Sequence, residues 1–210
     1  MLELQKMEAG QTMNRRWLIL GLLLAVWGCG KGASQPEMAP PVETVDVTPE
    51  KPTEVTTKVM DYQGIQMLVE SYRGKVVVVD YWSTDCPPCI KELPGLVEMH
   101  NAFPADDLKC ITVSLDYIGL ADEGPETYQD KVMPILKHVG ATFDNIIAAD
   151  DSETMLKKLK LAAPPAVLVY DRDGKLAKRF DNEEAASEAD GFTYEKDIKP
   201  LVAELVKAKP

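Results

Sequence analysis

The chain is 210 residues long and acidic, with 34 Asp and Glu against 23 Lys and Arg and a formal net charge of −11. A surplus of that sign opposes binding to nucleic acid and charge-driven adhesion to anionic lipid headgroups, so neither is expected. The length leaves room for one domain of about 150 residues behind an N-terminal extension.

The extension begins with a short basic region, Asn14-Arg15-Arg16, followed over residues 17–27 by an uncharged apolar run of eleven residues. A bilayer span needs about twenty residues, so this run is too short to cross and reads as a secretory signal. Val26-Trp27-Gly28-Cys29 resembles a bacterial lipobox, apart from the bulky Trp27. The resemblance implies cleavage after Gly28 and a lipid on Cys29; ordinary signal cleavage beside an incidental cysteine is the alternative. Glu3 and Glu8 suit a signal poorly, which makes Met13 an alternative start. Removing residues 1–28 takes away three basic and two acidic residues and moves the charge from −11 to −12. Residues 30–57 lack apolar periodicity and hold Pro36, Pro40, Pro41, Pro49 and Pro52 among polar and acidic residues. Such a segment cannot bury a core and reads as a tether, spanning about 30 Å as a coil. The expected organisation is a signal at 1–28, a lipidated Cys29 and tether at 29–57, and a globular domain at 58–210.

Within that domain a short helix is expected at 64–72. The run KVVVVDY at 75–81 reads as a central strand buried on both faces. A helix at 86–101 carries Leu93, Leu96, Val97 and His100 on an apolar stripe, and KCITVSL at 109–115 is the next buried strand. There follow a helix at about 125–139, a short strand around 145–147 and a helix at 152–159. Strands at 166–171 and 176–180 flank a turn, an acidic solvated loop covers 181–190, and an amphipathic helix closes the chain at 194–206.

The segment WSTDCPPCIKELP, Trp82 to Pro94, carries the chemistry. Cys86 and Cys89, three residues apart across a helix start, are close enough to form a disulfide with little backbone movement. The unsatisfied N–H groups and the positive end of the helix dipole favour a thiolate at the first cysteine. A Cys-x-x-Cys pair can also be half of a zinc site. Closure needs two more ligands, and Cys29, Cys110, His100 and His138 offer no second close pair. An inert disulfide is the other alternative, though so short a loop restrains the unfolded chain little. A dithiol pair beside a βαβ pattern is the redox reading. Cys110, inside an apolar strand, reads as a buried, inert thiol.

These residues resemble the thioredoxin superfamily. Asp80 and Trp82 stand six and four residues before Cys86, where that family has a buried acid and a tryptophan; Pro94 stands five after Cys89, at its helix-kinking proline. In APPAVLVYDRDGK, Pro165 occupies the cis-proline position ahead of a strand, and Asp171-Arg172-Asp173-Gly174 makes the next hairpin turn. The segment GKVVVVDYWSTDCPPCIKELP is most similar to the membrane-tethered, extracytoplasmic TlpA/ResA-like branch. The fold implied is α/β, a thioredoxin-like three-layer α/β/α sandwich around a mixed sheet, with a helix–strand insertion of TlpA type.

The resemblance implies a thiol-disulfide oxidoreductase facing the periplasm or cell exterior. It acts on protein or peptide disulfides, draws electrons from a membrane protein and needs no cofactor or metal. Cys86 is then the nucleophile, Cys89 the resolving thiol and Asp80 the proton acceptor. Trp82, Pro87, Pro88, Pro164, Pro165 and Ala166 frame the substrate. Pro164 has no N–H, so one backbone hydrogen bond available to relatives is missing. A disulfide-introducing oxidant and a redox-inert or copper-handling scaffold are the alternatives. The helix start favours the Cys86 thiolate by at most about 2 kcal/mol, and Asp85 beside it opposes by roughly 0.7 kcal/mol. A nucleophile pKa near or above ~6.5 and a potential of roughly −270 to −200 mV are expected.

Overall fold

Four successive valines, branched at Cβ and apolar toward both sides, form the centre of the fold in strand β2, Val76–Trp82, whose every residue is buried. The computed structural model describes residues 53–183 and 191–208. These lie in the second of the chain's two units, Asp46–Pro210. The expected signal, Cys29, most of the tether and residues 184–190 of the acidic stretch lie outside the described residues. Among the described residues no helix is long and apolar enough to cross a membrane.

In chain order the elements are β1 (Lys58–Met60), α1 (Tyr62–Ser71), β2, α2 (Pro87–Ala102), β3 (Leu108–Ser114), a 3-10 turn (Pro125–Tyr128), α3 (Gln129–Val139), β4 (Asp144–Ala148), α4 (Ser152–Leu159), β5 (Ala166–Tyr170), β6 (Leu176–Asp181), a π turn (Tyr194–Ile198) and α5 (Lys199–Lys207). The six strands form one sheet in the order β1-β4-β3-β2-β5-β6. The pairs from β1 to β2 are parallel, and β5 and β6 are antiparallel additions. The expected mixed sheet and the inserted α3 and β4 are therefore present.

Alternation along β2 divides the core. Val76, Val78 and Trp82 pack with Leu93 and Leu96 of α2, Val132 and Leu136 of α3 and Val202 of α5. Val77, Val79 and Tyr81 pack on the opposite face with Ile65 and Val69 of α1 and Met155 and Leu159 of α4. This gives the three layers, helices on both faces of a largely parallel sheet.

Several boundaries differ from the sequence reading for local reasons. Helix α1 starts two residues earlier than expected because Asp61 caps it, its carboxylate accepting the Gly64 N–H at 2.7 Å. Strand β1 was not foreseen. It is three residues long, too short to show a period, and forms only by lying against β4, Lys58 opposite Ile146. The expected helix at 125–139 is a 3-10 turn running into α3, which ends at Gly140 in the left-handed region (φ 76°). The closing helix opens as a π turn, with the Ile198 N–H reaching Thr193 O at 3.4 Å, ahead of Pro200, which has no N–H to give.

The hairpin between β5 and β6 matches expectation. The Asp171 carboxylate accepts the Asp173 and Lys175 N–H groups at 2.9 Å each, and Gly174 takes φ 76°. Arg172, on this turn, ties three parts of the fold together. Its guanidinium donates to Gly74 O at 2.7 Å, Asp107 Oδ1 at 2.7 Å and Val206 O at 2.9 Å. Its side chain is 12 % exposed, so these charge-assisted bonds are little screened. Arg172→Ala is expected to cost about 2–3 kcal/mol, read as a lower urea midpoint at unchanged slope. A loss below about 0.5 kcal/mol, the usual effect of a surface change, would remove Arg172 from the framework.

Candidate active site

Strand β2 delivers the chain to the site, and the turn after it is held from β3. Asp116, 7 % exposed just beyond β3, accepts the Thr84 N–H at 3.1 and 3.2 Å, the Thr84 hydroxyl at 2.5 Å and the Ser114 hydroxyl at 2.6 Å. The Leu115 N–H adds a bond to Trp82 O at 2.8 Å, and the Cys86 N–H one to Ser83 O at 3.2 Å. Four hydrogen bonds on one carboxylate fix the path of residues 83–85, so the cysteines arrive in one position. Asp85 is exposed, as expected.

Cys86 is the N-cap of α2, with extended backbone (φ −112°, ψ 93°). Pro87 and Pro88 occupy the first two helical positions, where a missing N–H breaks no helical bond. The first available backbone donor is therefore the Cys89 N–H, which reaches Cys86 Sγ at 3.3 Å. The two cysteines form a disulfide, with Cα atoms 5.3 Å apart. Cys86 is 7 % exposed and Cys89 2 %. Cys86 is the more exposed of the two but far less open than a helix-start position suggests, and Trp82 and Leu93 share its cluster.

Asp80, two residues before Trp82 on β2, is 3 % exposed. Alternation along β2 places it on the face of Val78 and Trp82, toward α2. Its carboxylate accepts the Tyr194 hydroxyl at 2.5 Å. Burial pushes its pKa up to about 7; the Tyr194 hydrogen bond pulls the other way, and the nearby Glu92 adds to the rise. Burial next to Asp80 holds the Tyr194 phenol well above its ordinary value, so it stays a donor. The Tyr194 N–H bonds Glu92 Oε2 at 3.1 Å.

The Pro164-Pro165 peptide bond is cis. A groove of about 360 Å³ beside the disulfide brings Pro165 together with Pro87 and Pro88, and with Lys91, Glu92 and Phe192. Trp82 and Ala166, also expected to frame a substrate, are both 0 % exposed. Trp82 instead backs the turn. Ala166 is registered against Tyr81 on one side and Asp181 on the other, so its backbone lies inside the sheet. Pro164, part-exposed, remains at the surface. His100 is buried against Phe143, ring centroids 4.9 Å apart, His138 is exposed on α3, and Cys110 is a buried thiol on β3. Among the described residues no cluster of three potential ligands could hold a metal.

Sequence reasoning missed Tyr194, Glu92 and the Asp116 clamp. Tyr194 stands 114 residues from Asp80, and nothing local marks it. Asp116 left one trace: Ser114 and Asp116 alternate at the end of a buried strand, where a polar pair needs partners.

Known proteins are similar to this chain. The AhpC/TSA family model matches residues 50–190. Thiol-disulfide oxidoreductase ResA of Bacillus thuringiensis (strain Al Hakam) is 24 % identical over 158 residues, 75 % of this chain and 82 % of the relative. Sporulation thiol-disulfide oxidoreductase A of Bacillus subtilis (strain 168) is 27 % identical over 106 residues, 50 % of this chain and 59 % of the relative. A thiol-disulfide isomerase from Corynebacterium glutamicum aligns with a TM-score of 0.49 at 19 % identity, covering 65 % of this chain and 84 % of that one.

The buried acid makes stability depend on pH. In the folded chain Asp80 keeps its proton up to about 7, against 3.8 for an ordinary Asp. Between those values the folded state binds more protons than the unfolded one, so this group's contribution is full below 3.8 and is lost as pH rises through about 7. Asp80→Asn abolishes that loss and is expected to stabilise the chain near pH ~8 by on the order of 2–4 kcal/mol, with much less effect near pH ~5. Urea unfolding at the two pH values measures it, and an equal effect at both would contradict the assignment.

Proposed function

Since this chain belongs to the AhpC/TSA family and is a TlpA/ResA-like thiol-disulfide oxidoreductase of the thioredoxin superfamily, we propose that it works outside the cytoplasm as a membrane-tethered reductant of protein disulfides. The observation that carries the direction is the start of α2. Proline at its first two positions leaves the Cys89 N–H as the donor that reaches Cys86 Sγ. An oxidant needs a strongly stabilised thiolate at this sulfur, because stabilising the reduced form raises the potential. Few donors at the helix start, together with Asp80 and Glu92 behind the site, favour the opposite poise. The electropositive setting that such an oxidant requires is not what these residues build.

In the proposed cycle the reduced Cys86 attacks a substrate disulfide as a thiolate. One substrate sulfur leaves as a thiolate and the other is joined to Cys86 Sγ. Cys89 passes its proton to Asp80 and attacks Cys86 Sγ, which closes the disulfide seen here and expels the second substrate sulfur. Each released thiolate takes up a proton, so the substrate gains two electrons and two protons. Two electrons and two protons from a membrane donor protein reopen the pair. The groove formed by Pro87, Pro88 and Pro165 beside the disulfide offers an extended peptide a surface. A signal at residues 1–28, lipid on Cys29 and the proline-rich tether would hold the domain near the membrane.

Three measurements bear on this. Equilibration with glutathione, followed through the fluorescence of buried Trp82, is expected to give roughly −270 to −200 mV; a value near −120 mV would mean that the protein oxidises its substrates. In insulin reduction, Cys86→Ser is expected to be inactive and Cys89→Ser to trap a mixed disulfide; turnover surviving in Cys86→Ser sinks the choice of nucleophile. In detergent phase separation, wild type should enter the detergent phase and Cys29→Ala the aqueous phase. Identical aqueous partitioning would remove the lipid anchor.

A further inference from the structure

The contact between Tyr194 and Asp80 joins the two ends of the domain at the point where the proton must move. Tyr194 is 2 % exposed, and its hydroxyl donates to Asp80 Oδ2 at 2.5 Å. Its N–H is given to Glu92 Oε2 on α2, the helix that also carries Cys89. Helix α2 makes room for this residue. A Cβ added at Gly95 would stand 2.6 Å from Tyr194 Cβ, closer than side chains approach, so glycine there admits the tyrosine to the back of the site. One residue of the π turn thus touches both acids behind the disulfide.

A plain core aromatic would fill this space without its hydroxyl. A short O–H···O⁻ bond is charge-assisted and strengthens when the acceptor is ionised. It therefore acts on one protonation state of Asp80 more than on the other. It also occupies one carboxylate oxygen and so fixes the rotation of the group.

We propose that Tyr194 is a positioning residue for thiol–disulfide exchange, holding Oδ2 of Asp80 so that Oδ1 receives the proton of Cys89 in the resolving step. This rests on the reading of Asp80 as proton acceptor given above. The Cys89 S–H bond breaks and its proton goes to Oδ1. The Cys89 thiolate then forms the bond to Cys86 Sγ while the bond from Cys86 Sγ to the substrate sulfur breaks. Tyr194 gives up no proton. The groups that face Asp80 and Tyr194 are Glu92 from α2 and Cys110 from β3. Burial raises the Asp80 carboxyl, and the Tyr194 hydrogen bond holds it within reach of neutral pH.

The test isolates the resolving step in the single-turnover oxidation of the reduced full chain: decay of the mixed disulfide is followed at peptide disulfide concentrations where the rate no longer depends on them, across roughly pH 5 to 9, for wild type, Asp80→Asn and Tyr194→Phe. Wild type is expected to show a rising limb with its midpoint at about 7. Asp80→Asn should flatten that limb. Tyr194→Phe keeps the ring and loses only the hydroxyl. It should keep the limb but move its midpoint up by about one pH unit, slowing the reaction about fivefold near neutrality. If Asp80→Asn flattens the limb and Tyr194→Phe leaves it in place, the role of Asp80 stands and that of Tyr194 falls. A uniform slowing at every pH without a shift also overturns the role of Tyr194, since it marks a purely structural tyrosine. A limb unchanged in Asp80→Asn overturns both. Should Tyr194→Phe fail to fold, Gly95→Ala, which displaces Tyr194 from α2, must produce the same upward shift; an unshifted limb there overturns the inference.

Discussion

The register of β2 between its two neighbours is the constraint from which the site follows. Asp80 stands opposite Thr112 on β3 and Val167 on β5, and Tyr81 stands opposite Ala166. That pairing sets Pro165, one residue before Ala166, beside the start of α2. It also turns Asp80 toward α2 and Tyr81 toward α1 and α4. A slip of one residue would invert every side chain of the strand and send the carboxylate to the wrong layer. Buried valines on both faces make such a slip costly. Asp80 is thereby confined to the layer of α2.

Around that fixed strand the polar groups are arranged against the grain of the core. Asp80 is an ionisable group among Val78, Trp82 and Leu93, tolerated because Tyr194 satisfies it and because it can hold a proton near neutral pH. Asp116 is the contrasting case. It is nearly as buried, but with four hydrogen bonds on its two oxygens it is committed to holding the turn. Two aspartates flank the cysteine turn. One is saturated with hydrogen bonds and structural; the other accepts the Tyr194 hydroxyl on one oxygen and has its pKa raised to about 7 by burial.

Much of this was legible in the amino-acid sequence where the signal is local. The valine run, the Cys-x-x-Cys pair after it, the diproline before β5 and the hairpin turn each lie within a few residues and fix backbone by their own chemistry. Helix α4 falls where the pattern put it, since Asp151 caps it and apolar spacing ends it at Leu159. What escaped depends on distance along the chain. Strand β1 is too short to show a period and exists through β4. Tyr194 reads as one more apolar position of a closing helix until the fold brings it to Asp80. A helix start suggests an open Cys86, yet it is buried in one cluster with Trp82 and Leu93.

The position of β1 has a mechanical meaning. It is an outer strand held to β4 by three register pairs, and β4 and β3 separate it from β2. A pull on the chain ahead of residue 58 meets those pairs before it reaches any other strand. Drag on the N-terminal side thus falls first on the rim of the sheet, and the strand that delivers the cysteine turn lies three strands further in.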